Sequence, residues 1–283
     1  MPKDPGTAIP LPPSSSRQEP SGKRKGERSV DTVIVNFRTK ELTLDAVKSV
    51  LDEPQTKSVI VVENGSEDDS AAWLAENLKD SRIKLLVSEK NLGFGGGNDL
   101  GAGSASAEFV FFLNSDATLE PGGLALMVER LNDPTVGVVG SAIYLPSGEL
   151  QPNVFGLFPT PSRILSRRAA SSSDSPEPDW VSGAAMMVRR AEFLDLKGFD
   201  ERLFMYMEDV DLCKRYRDRG LRVVREPSAK VVHLGGGSKA SSKAQKEQFR
   251  RSTDYYLEKH GFSASSRAAV KAVRALYGKV RGL

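Results

Sequence analysis

Four short apolar runs, each ending in polar residues and most followed by a stretch with helical spacing, constrain this chain more than any other feature. They are VDTVIVNF from Val30, SVIVV at 58–62, IKLLV at 83–87 and FVFFL at 109–113. Each has the length of a strand, and near-continuous apolarity marks strands covered on both faces. Between and after them, Leu44, Val47, Val50 and Leu51 share one helical face behind a Thr39 cap. A second helix centres on Trp73 and Leu74, and Pro121 opens another with Leu124, Val128 and Leu131. Strands alternating with helices predict an α/β fold built on a mostly parallel sheet with helices on both faces. Ligands of such sheets sit beyond the carboxyl ends of the strands. The polar clusters Asn36, Glu63-Asn64, Asn91 and Asn114-Ser115-Asp116 all fall there.

The flanks differ from this core. Residues 1–29 are rich in Pro, Ser, Gly and charge and are expected to be a disordered tail. Residues 30–260 form the expected domain, within which 145–179 mixes proline, glycine, serine and the basic residues Arg163, Arg167 and Arg168. A structureless stretch of that length predicts a mobile functional loop. Order resumes with a strand at 180–188, strands near 221–225 and 229–233, and a helix from about 241 to 260. Residues 261–283 read as a basic amphipathic helix, with Val270, Val273, Leu276, Tyr277 and Val280 on one arc and Arg267, Lys271, Arg274 and Arg281 on another. Such a helix either lies on an anionic membrane surface or packs on the domain with its basic face solvated.

Charge narrows the partners. The formal net charge is +3, but residues 1–30 carry +3 and 261–283 carry +5, which leaves −5 for 31–260. An acidic core is a poor partner for nucleic acid, and a phosphorylated ligand bound there calls for a cation. The lone Cys213 excludes a disulfide framework and a cysteine-based metal site. With no signal-like or membrane-spanning run, the expectation is a cytoplasmic protein, peripheral on the inner face of the membrane if the C-terminal helix docks there.

Four constellations offer chemistry. Asp116 stands just past a five-residue apolar strand, where a carboxylate can hold a divalent cation bridging phosphates; Asn and Asp also end strands in ordinary turns. The run Gly93-Phe94-Gly95-Gly96-Gly97-Asn98 puts Asn98 where a dinucleotide fingerprint needs its last glycine, and it follows the third strand instead of the first. An NAD-dependent enzyme is thereby disfavoured, and what remains is a glycine-rich loop that a ligand can approach closely. Glu208, Asp209 and Asp211 open a helix beside Phe204, Met205, Tyr206 and Met207. Acids are common in a first helical turn, but a carboxylate against an apolar wall also suits a general base. His233 follows Val231-Val232 and precedes Gly235-Gly236-Gly237-Ser238, a pattern open to a structural histidine or to a metal site with a phosphate-binding nest.

In order along the chain, VIVNF, VVENGSEDDS, NLGFGGGND, FFLNSDA, WVSGAAMMVRR, GFDERLFMYMEDVDLC and VVHLGGGS resemble the family 2 glycosyltransferases, notably the bacterial rhamnosyltransferase-like branch. The likeness runs from about Val30 to Ser238. It implies the GT-A fold, a Rossmann-like nucleotide-binding core merged with a small acceptor-side sheet. It also implies inverting transfer of a sugar, rhamnose among the candidates, from a nucleoside-diphosphate-sugar (dTDP- or UDP-linked) to a glycan or lipid-linked acceptor in cell-surface polysaccharide synthesis. By this resemblance Asn36, Glu63 and Asn64 contact base and ribose, and Asn91, Gly93 and Asn98 lie along the nucleotide. Asn114, Ser115 and Asp116 occupy the metal-binding D-x-D position, with Asp116 and His233 holding Mg²⁺ or Mn²⁺. Asp209, paired with Glu208, takes the place of the catalytic base, and Trp180, Ser182 and Gly183 line the donor and acceptor sugars. Two positions depart from the pattern: Asn114 replaces the first Asp of D-x-D, and Glu63 stands where Asp is usual. The rival readings are a non-catalytic nucleotide-sugar-binding component of a polysaccharide assembly complex and a nucleotidyltransferase. The first would have lost the base, and the second places a basic glycine loop after its first strand, which VIVNFRTKE lacks.

Overall fold

The computed structural model describes residues 28–166, 177–235 and 243–280, with side chains described to residue 274. Strands β1 (Val30–Asn36), β2 (Thr56–Asn64), β3 (Ile83–Ser88) and β4 (Phe109–Asn114) alternate with helices α1 (Lys40–Leu51), α2 (Ser70–Asn77) and α3 (Gly93–Ser104). Then come β5 (Ala117–Leu119), α4 (Gly123–Leu131), β6 (Val136–Tyr144), β7 (Phe155–Gly156), α5 (Pro161–Ser166), β8 (Trp180–Val181) and β9 (Ala185–Arg189). The chain continues through α6 (Arg190–Asp195), α7 (Glu208–Asp218), β10 (Arg222–His233), α8 (Lys243–Lys259) and α9 (Ala264–Val280).

The main sheet has the order β3-β2-β1-β4-β9-β6-β10-β5, and β7 pairs with β8 in a small second sheet. The first four strands are parallel, as their alternation with helices predicts, while β9 runs antiparallel to both β4 and β6. Chain order reverses between β1 and β4, where neighbouring connections depart in opposite directions and leave a crevice. Register aligns the polar strand ends there: Asn36 lies beside Glu63, and Val35 beside Asn114.

Several local expectations change. The glycine-rich stretch is not a loop: α3 begins at Gly93 itself. Glycine weakens helices, so propensity favoured the loop, but packing decides otherwise. A methyl on Gly97 would come within 2.8 Å of Val35 Cγ1, and one on Gly101 would collide with the Val33 side chain. Helix α3 thus lies against β1 and β2 closer than side chains would permit. The WVSGAAMMV strand is broken into β8 and β9, which belong to different sheets, while the two strands expected at 221–225 and 229–233 are one, β10, with an irregularity between Glu226 and Lys230. Thr39 sits at the N-cap of α1 without a side-chain cap bond, and α4 starts behind Gly122, not at Pro121.

The stretch 145–179 is not structureless, since it holds β7 and α5; Arg167 and Arg168 lie outside the described residues, as does the tail through residue 27. A second apolar cluster unites this stretch with the C-terminus. Leu203, Met207, Val210, Tyr256, Leu257 and Val270 are buried together, with Phe158, Ile164, Leu165 and Trp180 around them. Helix α9 is therefore packed on the domain at Val270, and its cations are partly engaged: Arg267 pairs with Glu258, and Arg274 and Lys271 with Asp254. Leu276, Tyr277, Val280 and Arg281 lie outside the described side chains. Among the described residues, no helix is long and apolar enough to cross a membrane.

Because Gly101 has no room for a β-carbon, Gly101→Ala should destabilise the fold by about 1–3 kcal/mol through overpacking. A lowered urea midpoint at unchanged m-value checks this; an unchanged midpoint would mean that α3 can lift freely.

Candidate active site

A cleft opens at the carboxyl ends of β1, β2 and β4, lined by Asn64, Asn91, Gly93, Asn98, Asn114, Ser115 and Asp116 together with Val35, Phe37, Phe94, Leu113 and Met205. Most of the expected nucleotide-binding residues meet here. Asn36 and Glu63 do not line the cleft. Buried Asn36 accepts from Thr39 N–H (3.2 Å) and Thr43 Oγ1 (3.0 Å) and donates to Ser66 Oγ (3.3 Å), so it ties the start of α1 to the turn after β2. Both Glu63 oxygens accept backbone N–H groups, from Gly65 at 3.2 Å and Ser66 at 2.8 Å. These two side chains hold the rear wall.

The start of α3 is fixed by asparagines. Asn64 Oδ1 accepts from Leu92 N–H (3.1 Å), its Nδ2 donates to Gly93 O (3.1 Å), and Asn91 Oδ1 accepts from Gly93 N–H (2.8 Å). Gly93 has φ +76°, and a side chain there would strike the Phe204 backbone. The N-terminal end of a helix, with its positive partial charge, therefore faces the cleft.

On the opposite wall His233 reaches Asp116. Strand β10 pairs with β5 so that His233 lies opposite Ala117, and this puts His233 Nε2 3.0 Å from Asp116 Oδ1 and 3.2 Å from Asn114 Nδ2. His233 Nδ1 is 2.9 Å from Gln151 Oε1. An Nδ1–H donated to Gln151 leaves a lone pair on Nε2 facing a carboxylate oxygen. That lone pair can accept from Asn114 Nδ2–H at 3.2 Å, with the Asp116 carboxylate beside it. An imidazole oriented by a hydrogen bond on its other nitrogen is also how metal-binding histidines are held. Among the described residues no cluster of three His, Cys, Asp or Glu side chains forms a metal site; Asp116 and His233 offer one carboxylate and one imidazole, so a divalent cation held by them would need phosphate or water oxygens for the rest of its shell.

The acids come from the first turn of α7. Asn114 N–H donates to Ala184 O (2.9 Å), which carries the 182–184 turn to the cleft, and Gly183 N–H donates to Asp209 Oδ2 (3.1 Å). A β-carbon on Gly183 would come within 2.9 Å of the Phe94 ring, so glycine lets Asp209 and the cleft wall meet. Burial pushes the Asp209 carboxyl up against the opposing pull of the Gly183 and Val210 N–H groups. Glu208 is buried with Oε2 unpartnered among the described residues, and burial first, then the Asp209 charge, raises it well above the usual range. Just before them Tyr206 and Met207 have φ +69° and +71°, which costs about 1–3 kcal/mol per residue. Phe94 N–H donating to Phe204 O and Ser252 Oγ donating to Met205 O brace this turn.

Trp180 and Ser182 stand apart from the cleft lining: the Trp180 indole donates to Leu157 O (3.2 Å), and Ser182 N–H to Val154 O (2.7 Å). Gly183 alone of that trio touches the acid pair. Phe37 and Phe94 sit inside the VIVNF and NLGFGGGND motifs but were not singled out for the site, and Gln151 carried no periodic or motif signal.

The sequence model for glycosyl transferase family 2 matches residues 31–193. The chain belongs to that family. An N-acetylglucosaminyl-diphospho-decaprenol L-rhamnosyltransferase of Mycobacterium tuberculosis is 32% identical over 204 residues, covering 62% of this chain and 66% of the relative, a little under two thirds of its length. Among solved structures, GalNAc-T7 with UDP, GalNAc and Mn²⁺ superposes with a TM-score of 0.63 at 17% identity over 82% of this chain and 50% of that one. A mannosyltransferase of Pyrobaculum calidifontis, in complex with GDP-Man and Mn²⁺, gives 0.55 at 16% identity over 89% and 81%. The fold is GT-A. The family-matched stretch ends before both Asp209 and His233, which approach the cleft from a part of the chain outside the match.

Titration of Asp209 by ¹³C NMR should give a midpoint above the ordinary 3.8. A midpoint at or below that value would mean that burial does not outweigh the Gly183 and Val210 N–H groups.

Proposed function

We propose that this family 2 protein is an inverting glycosyltransferase that uses a divalent cation, Mg²⁺ or Mn²⁺. The observation that carries the reading is what converges on the cleft: Asp116 lines it with His233 Nε2 against its carboxylate, and Asp209 stands just behind, accepting the N–H of Gly183, which abuts the Phe94 ring of the lining. The donor is a nucleoside-diphosphate-sugar. Asn64, Asn91 and Asn98 border its nucleotide, and the exposed face of Phe37 offers a surface for the base. Asp116 and His233 would hold the cation, which when bound neutralises charge on the leaving diphosphate. The N-terminal end of α3 adds a second favourable field for that diphosphate.

Asp209 takes the proton of the acceptor hydroxyl as its oxygen bonds to the anomeric carbon. The bond from that carbon to the diphosphate oxygen breaks on the opposite face, and the nucleoside diphosphate departs with the electron pair. A raised Asp209 pKa strengthens the base. Glu208, more easily protonated still, adds little repulsion while it remains neutral. The name of the mycobacterial relative supports rhamnose as the sugar and a lipid-diphosphate-linked glycan as the acceptor, in cell-surface polysaccharide synthesis. A dTDP- or UDP-linked donor fits that class. Such an acceptor would bring the chain to the inner face of a membrane, with α8 and α9 as the basic elements nearest an anionic surface.

A panel of nucleotide sugars with Mg²⁺ or Mn²⁺, scored for donor-dependent nucleotide release, tests the assignment. Asp209→Asn should keep donor binding and lose transfer by at least about 100-fold; undiminished transfer would remove Asp209 from the base role. Since the base must be ionised and burial raises it, wild-type turnover should fall with decreasing pH above the usual carboxylate range. Asp116→Asn and His233→Gln should each weaken Mn²⁺ binding about 10- to 100-fold, read by calorimetry without turnover, and unaltered binding would place the cation elsewhere.

A further inference from the structure

Asp211, two residues beyond the base, has no part in the chemistry above. Residues two apart on an α-helix point about 200° away from each other, so Asp209 and Asp211 leave the first turn of α7 on opposite sides. Asp209 meets the Gly183 N–H. Asp211 is fully buried and faces basic side chains: Arg215 Nε at 2.8 Å from its own helix, Lys259 Nζ at 2.7 Å from the last residue of α8, and His260 Nε2 at 2.9 Å just after it. Lys259 is shared with Asp200 at 2.8 Å, which also accepts from Tyr255 Oη at 2.8 Å. Met207 and Val210, which flank the acid pair, are buried with Tyr256, Leu257 and Val270 of the C-terminal helices. Ser252 Oγ donates to Met205 O at 2.7 Å.

All of these attachments bear on a turn under strain. Tyr206 and Met207 hold left-handed backbone that non-glycine residues leave unless their surroundings prevent it. Relaxation at these two residues would rotate the first turn of α7 and carry Asp209 away from Gly183. The attachments opposing that rotation come from α8 and the residues just after it.

We propose that Asp211, held by Lys259 and His260, is a positioning residue for the catalytic base, and that the C-terminal helices are thereby part of the active site's framework. The proposal rests on the assignment of Asp209 as base. It gives residues 243–274, which lie beyond the family-matched stretch, a direct influence on turnover.

The test uses the full chain with Asp211→Asn, Lys259→Met, Lys259→Arg and His260→Gln, each checked by thermal melting. Asp211→Asn and Lys259→Met should lower kcat about 10- to 100-fold, the scale of a small misplacement of a reacting group, with donor Kd changed less than two-fold. Lys259→Arg should restore most of the rate. The acid limb of the kcat profile, and the ¹³C titration of Asp209, should move down toward ordinary carboxylate values as the carboxyl leaves its dry seat. Folded variants with unchanged Asp209 titration and unchanged acid limb overturn the proposal, whatever their rate. Should Asp211→Asn not fold, Lys259→Met and His260→Gln give the same readouts. Undiminished transfer by Asp209→Asn would instead sink the base assignment and the positioning role with it. An inactive Asp209→Asn with an unmoved Asp209 titration in the Asp211 and Lys259 variants sinks only the positioning role.

Discussion

The approach of α3 to β1 and β2 is the constraint on which the remaining geometry depends. Gly97 and Gly101 let the helix settle onto Val33 and Val35, and the helix start is then fixed by Asn64 and Asn91. That depth puts Gly93 against the backbone of Phe204, and Gly95 beside Phe199 and Glu208. A helix with ordinary side chains on this face would stand farther off, and neither its N-terminus nor the acid turn would border the same cleft. One close packing contact thus sets both the start of α3 and the acid turn of α7 against the cleft.

Electrostatics divide the first turn of α7 between two environments. Burial outweighs the Gly183 and Val210 N–H groups at Asp209 and is reinforced by the Asp209 charge at Glu208, so both are raised. Burial works against the ionised form of Asp211 as well, but the His260 hydrogen bond and the charges of Arg215 and Lys259 outweigh it and hold that carboxyl below its usual value. Three acids within four residues therefore do different work. The difference comes from what each side chain meets, since their intrinsic chemistry is nearly the same.

Much of the frame was legible along the chain. The parallel strands, the polar residues at their carboxyl ends and the placement of Asn114–Asp116 all follow from period and length, because a doubly covered strand must be apolar and a site must lie where it stops. Other features were misjudged for identifiable reasons. Glycine content argued for a loop at 93–101 because local propensity carries no information about a neighbouring sheet. Asn36 and Glu63 sat at the right strand ends, but a polar side chain there can face the ligand or the wall, and backbone N–H groups claimed both of them. The stretch at 145–179 looked structureless because β7 and α5 are too short to show a period.

By itself, the sequence determined the α/β alternation, the acidic core between basic flanks and the ordered motifs of the family, since each is written in local composition or spacing. Only the tertiary structure decided that His233 meets Asp116 from 117 residues away, that Gly183 connects Asp209 to the cleft, and that α9 buries Val270 in the domain. Those outcomes depend on strand pairing and on packing between distant segments. Two antiparallel pairings, β10 with β5 and β9 with β4, bring the late residues to the early ones, and no local pattern in the chain encodes which strands will be neighbours.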